Sequence, residues 1–254
     1  MKTPIISVVG SIHMDFTVVT DHLPASGETV IGDAFKMSPG GKGANQAVSS
    51  SRLGAKVCMV GRVGRDYLGT LLLKNLRKNG VNTDYVIRDS SAYTGLALIT
   101  VDNQGRNSIT VAPGTDALVT KEDVDRAMPM IARSSALLLQ LEIPMDVVVY
   151  AAEEASTRGV KVFLNPAPFK PIPEELYRNL YVLTPNEVEV TALAGINLKE
   201  TEALEEVGLG LLEKGAKNVV ITMGSRGAFL VTSKKHVLVH AYKVKVVDTT
   251  GAGD

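Results

Sequence analysis

Four short segments carry residue types and spacings that could do chemistry. The first is Ser38-Pro39-Gly40-Gly41-Lys42-Gly43-Ala44-Asn45-Gln46-Ala47. Glycines ahead of a helix let backbone N–H groups approach a ligand, and a helix N-terminus favours anions and hydroxyl oxygens. Lys42 and Asn45 stand three apart, so both side chains face one side of a helix start. An ammonium group beside an amide suits a polyhydroxylated ligand. The segment is not a Walker loop, because Gly43 rather than Ser or Thr follows Lys42 and position 37 is Met. A plain strand-to-helix turn is the simpler alternative.

The second segment, Thr184-Pro185-Asn186-Glu187-Val188-Glu189, reads by itself as a capping box, with Asn186 as N-cap and Glu189 at N3. The third, Thr222-Met223-Gly224-Ser225-Arg226-Gly227, is a glycine turn between two apolar runs. The fourth is Val247-Asp248-Thr249-Thr250-Gly251-Ala252-Gly253-Asp254. Consecutive N–H groups at a helix start, with a carboxylate beside them, make an anion hole for developing phosphoryl charge. The carboxylate could accept the proton of an attacking alcohol.

These segments sit at the joints of a regular alternation. Ile5–Val9 and Lys56–Val60 read as strands, Ala44–Leu53 and Tyr67–Lys78 as helices. Leu137–Leu141, Val160–Leu164, Tyr181–Leu183 and Val219–Thr222 are continuous apolar runs, the pattern of strands buried on both faces. Thr120 with Asp123 begins a helix as a capping box, and Ala203, Leu204, Val207 and Leu211 recur at helical spacing before Gly215. The fold class expected is α/β, a doubly wound, mostly parallel sheet with helices on both faces. Such sheets collect ligands at the carboxyl ends of their strands, where these segments lie.

Two stretches break the alternation. Residues 12–38 hold Pro24, Gly27 and Gly32 with strand-like pieces, and residues 91–112 read as a hairpin around Asn103-Gln104-Gly105. They predict either a small antiparallel sheet lying as a lid on the larger domain or two hairpins without a shared role. The core would then comprise 1–11, 39–90 and 113–254.

Composition narrows the function classes. Lys+Arg 27 against Asp+Glu 27 gives zero net charge, which offers nucleic acid no electrostatic footprint. One cysteine, Cys58, excludes an internal disulfide and sits in the apolar run VCMV, where a buried thiol is expected. No apolar stretch is long enough to span a membrane, and the first residues lack a cleavage site, so a cytoplasmic protein is expected. No G-x-G-x-x-G follows a strand; Gly208-Leu209-Gly210 lies in a helical pattern with Glu213 in the third glycine's place. A nucleotide-linked dehydrogenase is therefore disfavoured.

Taken together, the residues resemble the ribokinase family of sugar kinases from Gly10 to Asp254. Gly40-Gly41-Lys42-Gly43-Ala44-Asn45-Gln46-Ala47-Val48 is similar to the family's first signature, and Asp248-Thr249-Thr250-Gly251-Ala252-Gly253-Asp254 to its second. Asn186-Glu187-Val188-Glu189 resembles its N-x-x-E element, and Thr222–Gly227 its nucleotide-binding turn; Gln140-Leu141-Glu142 and Asn165-Pro166-Ala167-Pro168 also match.

The resemblance implies an ATP-dependent kinase acting on the primary hydroxyl of a pentose, with Asp254 as general base. It assigns the anion hole to Gly251, Ala252 and Gly253, and sugar recognition to Asp15, Gly41, Lys42, Asn45 and Glu142. Nucleotide binding falls to Asn186, Thr222, Gly224, Ser225 and Gly227. Glu189 would serve Mg²⁺ through water, and Asp248 and Thr250 an activating K⁺. A homodimer clasped through the lid is implied as well.

Two departures matter. The family's sugar loop usually reads Gly-Ser-x-Asn-x-Asp; here it is Gly10-Ser11-Ile12-His13-Met14-Asp15. Either His13 bonds the same hydroxyl and ribose remains the substrate, or the pocket is reshaped toward 2-deoxyribose or another pentose. A nucleoside is disfavoured by Lys42 and Glu142. Family chains also continue for several tens of residues past the second signature. The sequence is thus expected to be part of a longer enzyme, and a chain ending at Asp254 to be at most a weakly active sugar-binding fragment.

Overall fold

The computed structural model describes residues 3–194, 201–245 and 251–254. In chain order its elements begin with β1 (Ile5–Val9), β2 (His13–Thr20), β3 (Ala34–Gly40), α1 (Lys42–Arg52), β4 (Lys56–Gly64), α2 (Tyr67–Lys78) and β5 (Val81–Asp89). Next come β6 (Leu96–Asp102), β7 (Asn107–Ala112), a 3₁₀ turn (Gly114–Leu118), α3 (Lys121–Ile131), β8 (Ala136–Leu139) and α4 (Met145–Thr157). The remainder is β9 (Lys161–Leu164), α5 (Glu174–Tyr177), β10 (Val182–Leu183), α6 (Glu187–Ala194), α7 (Thr201–Glu213), β11 (Asn218–Thr222), β12 (Ala228–Thr232) and β13 (His236–Val239).

A nine-stranded sheet runs β13-β12-β11-β10-β9-β8-β1-β4-β5. It is parallel from β11 to β5, with β12 and β13 added antiparallel at one edge. Successive strand residues face opposite sides, so adjacent apolar residues feed two separate cores. Val8 and Met59 pack on one side with Ala44, Ala47, Leu72 and Leu76 of α1 and α2. Val9 and Val60 pack on the other with residues of α3, α4 and α7, among them Ile131, Ala151 and Val207. Cys58 is buried between β1 and β5, and burial pushes its thiol up to about 12.

β5 was not foreseen. It is an edge strand whose polar Asn82, Asp84 and Arg88 break any apolar run. Helix α1 starts two residues before the expected Ala44, because its first turn is capped from outside the helix. Among the described residues no helix is long and apolar enough to cross a membrane.

The second sheet has the order β3-β2-β6-β7 and joins both irregular stretches. They form one sheet rather than two independent hairpins. The expectation of an antiparallel sheet needs correction: β2–β3 and β6–β7 are antiparallel, but β2 and β6 pair in parallel over Met14–Thr20 and Leu96–Asp102. The reason is topological. β2 continues the direction of β1 and β6 follows β5, and both parent strands point the same way.

Candidate active site

The site is built where β1 ends. Gly10-Ser11-Ile12 passes beneath the start of α1, and Gly43 is needed there because an added Cβ would lie 2.7 Å from the Gly10 carbonyl carbon. Gly41 enters the helix at φ 91, a conformation that glycine adopts freely. No side chain of the usual capping position closes this helix. Instead, Glu142 from beyond β8 accepts the Lys42 N–H at 2.8 Å and the Ser11 hydroxyl at 2.5 Å on the same oxygen. Ser11 in turn accepts the N–H of Gly43 at 3.2 Å. A carboxylate at a helix N-terminus is favoured by the exposed N–H groups and the helix dipole.

Asp254 lies against the same helix. Its Oδ2 accepts a hydrogen bond from Asn45 Nδ2 at 2.8 Å, and Lys42 Nζ is 3.3 Å from Oδ1. The three-apart spacing of Lys42 and Asn45 thus brings both to one carboxylate. His13, Asp15, Gly41, Lys42, Asn45, Glu142 and Asp254 together line a cavity of about 580 Å³ roofed by the second sheet. Within it, burial pushes the Asp15 carboxyl up, with Glu142 and Asp254 acting in the same direction and His13 and Lys42 opposing.

A second cavity, of about 210 Å³, adjoins it and is lined by Lys42, Asn186, Glu189, Thr222 and the turn Gly251–Asp254. That turn, closed by the Asp254 N–H on the Gly251 carbonyl at 3.1 Å, therefore stands between the two spaces. Asn165 Nδ2 holds it from behind through the Gly253 carbonyl at 3.2 Å. Asn186 and Glu189 do form the capping box: Asn186 Oδ1 accepts from Glu189 N at 2.8 Å, and Glu189 Oε2 from Asn186 N at 2.9 Å. Glu189 is buried, and that burial raises its carboxyl above the ordinary value, against the Asn186 N–H and the Lys42 charge. Capping and cavity lining are compatible roles for one side chain.

The sequence-selected residues are not all brought together. Gly224, Ser225 and Gly227 line neither cavity; the first two are exposed in a 3₁₀ turn whose Arg226 pairs with Glu187. Asp248 and Thr250 lie outside the described residues. A roomier space of about 640 Å³ between α5, α6 and α7 contains none of the selected residues.

One site residue escaped the sequence reading. Asp116, almost fully buried in the turn after β7, bonds His13 Nδ1 through Oδ2 at 2.9 Å and accepts the Ile12 N–H on Oδ1 at 2.8 Å. Burial draws His13 toward neutrality, but the Asp116 hydrogen bond and charge, with Glu142 and Asp15, outweigh it and raise the imidazole above its ordinary value. The only sequence signal was an acid in Pro113-Gly114-Thr115-Asp116, which reads as a simple turn.

The family model described as pfkB family carbohydrate kinase matches residues 4–254. A bifunctional ribokinase/ribose-5-phosphate isomerase A of Fructilactobacillus sanfranciscensis is 39% identical over 250 residues, 98% of this chain but 46% of that protein. The chain thus spans about half the length of that relative. A deoxyribokinase of Salmonella typhi is 36% identical over 98% of this chain and 82% of its own length. The structure of Arabidopsis thaliana ribokinase complexed with ribose and ATP superposes with a TM-score of 0.90 at 32% identity, covering 99% of this chain and 83% of that one.

Proposed function

The chain belongs to the pfkB family of carbohydrate kinases, ATP-dependent phosphotransferases, and on that premise we propose that it phosphorylates the 5-hydroxyl of D-ribose. The observation that carries this reading is the turn Gly251–Asp254, standing between a cavity that the lid closes and a second one beside Asn186 and Glu189. A sugar in the first and a triphosphate in the second would meet at Asp254. The Fructilactobacillus relative is a bifunctional ribokinase, and the Arabidopsis ribokinase structure holds ribose and ATP, which supports the assignment.

In this mechanism Asp254 takes the proton of the primary hydroxyl as its oxygen attacks the γ-phosphorus. The bond from phosphorus to the bridging oxygen breaks and ADP leaves. Asn45 and Lys42 hold the carboxylate in place, and Lys42, which lines both cavities, balances charge on either side. Base catalysis of this kind contributes about 10²- to 10⁴-fold. The N–H groups of Gly251, Ala252 and Gly253 stabilise the transferring group, whose charge is met mainly by positioned donors.

Sugar hydroxyls are held by Asp15, Gly41, Asn45, Glu142 and His13, and the nucleotide by Asn186, Thr222, Gly224, Ser225 and Gly227. The buried Glu189 carboxylate beside the smaller cavity fits a hydrated Mg²⁺, which keeps several waters and would neutralise phosphate charge. Asp248 and Thr250 are proposed for K⁺. A homodimer through the lid is supported by its exposed Phe35, Met37 and Leu98, and sedimentation of the purified protein tests it.

A 2-deoxyribose kinase is the second reading, favoured by His13 in the sugar wall and the deoxyribokinase relative. ADP release with Mg-ATP and K⁺ on ribose, 2-deoxyribose, fructose and adenosine separates the two, with Asp254→Asn as control. Turnover on ribose, lost in the control, establishes the first reading. Turnover mainly on 2-deoxyribose replaces it with the second, and activity that survives in D254N removes Asp254 as base.

A further inference from the structure

His13 and Asp116 form a connected pair whose outer end reaches the sugar cavity. Burial pushes the Asp116 carboxyl up, while the His13 bond and charge and the Ile12 N–H on Oδ1 hold it down; with Asp116 ionised, Nδ1 of His13 carries the proton of their 2.9 Å bond to Oδ2. Nε2 is then left facing Asp15 at 3.7 Å. That gap is too long for a direct hydrogen bond, yet one hydroxyl oxygen can span it, accepting from Nε2–H and donating to Asp15. The surroundings are shaped to the pair. A Cβ on Gly95 would fall 2.8 Å from Asp116 Oδ2 and 3.1 Å from His13 Cβ.

We propose that Asp116 is a positioning residue that fixes His13 as a cationic hydroxyl donor, so that sugar affinity depends on the protonation of this pair. Every acid facing the ring favours the cation: Asp116 from the 3₁₀ turn, Asp15 from its own strand and Glu142 from the loop after β8. With Nε2 protonated the ring donates to the hydroxyl; deprotonated, it becomes a second acceptor opposite the Asp15 carboxylate. The hydroxyl then has one proton for two acceptors. The consequence for sugar affinity rests on the sugar-kinase reading, whereas the state of the pair does not.

Two measurements test this. Imidazole NMR titration of the ligand-free protein, with the His13 signal identified by its loss in His13→Asn, should show His13 titrating above 6.5 in the wild type. Asp116→Asn should bring it below 6.5, because burial remains while the main anionic partner is gone. In kinetics, the sugar KM should rise about 10- to 100-fold as pH passes upward through the same midpoint, with kcat changing less. H13N should have a high KM that no longer varies with pH.

An unshifted His13 in D116N overturns the positioning role whatever the activity. A KM that is flat in the wild type, or that rises equally in H13N, overturns the recognition role. If D116N does not fold, the wild type against H13N decides. Normal titration with no binding of any sugar overturns the sugar-kinase reading and leaves the His13–Asp116 pair standing.

Discussion

The two cavities that meet at Asp254 are built by opposite means. On the proposed sugar side, charged side chains from separate elements are bonded to polar side chains and to backbone N–H groups: Glu142 to Ser11 and Lys42, Asp116 to His13 and Ile12, Asp254 to Asn45. On the proposed nucleotide side stand one local capping box and a glycine turn, and Gly224 and Ser225 are exposed. The difference teaches where discrimination resides. A hydroxyl read by buried charge cannot be omitted cheaply, whereas backbone N–H groups and a dipole serve any phosphate.

The contrast can be broken most forcefully at Gly43. Gly43→Ala sets a Cβ against the backbone of Gly10 and Ser11 and displaces the first turn of α1. Shifting Lys42 and Asn45 by even about 1 Å should cost on the order of 10²-fold in kcat/KM for the sugar. A small change would mean that α1 has slack.

Next comes Glu142→Gln, which keeps the volume and removes the charge that two donors share. The sugar KM should rise about 10- to 100-fold, since hydrogen bonds to charged groups are worth about 1.5–3 kcal/mol, with the Mg-ATP KM unchanged. Equal effects on both substrates would erase the distinction between the two sides.

Glu189→Gln sharpens it from the nucleotide side through stability. The folded protein holds this carboxyl above its unfolded value of 4.5, so burying the charge opposes folding increasingly as pH rises from there to the folded value. The stability of E189Q relative to the wild type should therefore improve over that climb, read by melting at successive pH values, while the Mg-ATP KM rises several-fold, about ten at most. A stability difference that moves the other way would mean that the carboxylate is held by more donors than Asn186 supplies. Smallest of all, Ser225→Ala at an exposed turn should change the nucleotide KM by no more than about threefold. A larger loss would show that this hydroxyl closes onto the ligand.

How much of this was legible in the sequence follows the same division. Glycines and charges at strand ends mark the crevice, because close backbone approach and buried charge are rare without a use; Lys42, Asn45 and Asp254 stood out on that account, and Glu142 by resemblance alone. Asp116 did not, since its partner is 103 residues away and its own surroundings are those of an ordinary turn. The parallel pairing of β2 with β6 was hidden for a related reason. Strand patterns report which face is apolar, not which neighbour will be found. Gly224, Ser225 and Gly227 were selected by resemblance, and their own geometry adds no cavity to it.

The buried Cys58 gives the molecule a built-in clock. It lies in the strand between β1 and β5 with a thiol pushed up to about 12, so an alkylating reagent meets neither an accessible nor an ionised sulfur while the sheet is closed. As the sole cysteine, it leaves no other thiol to be labelled. The labelling rate then measures how often this part of the core opens. Sugar that binds the closed form should slow it in proportion to occupancy.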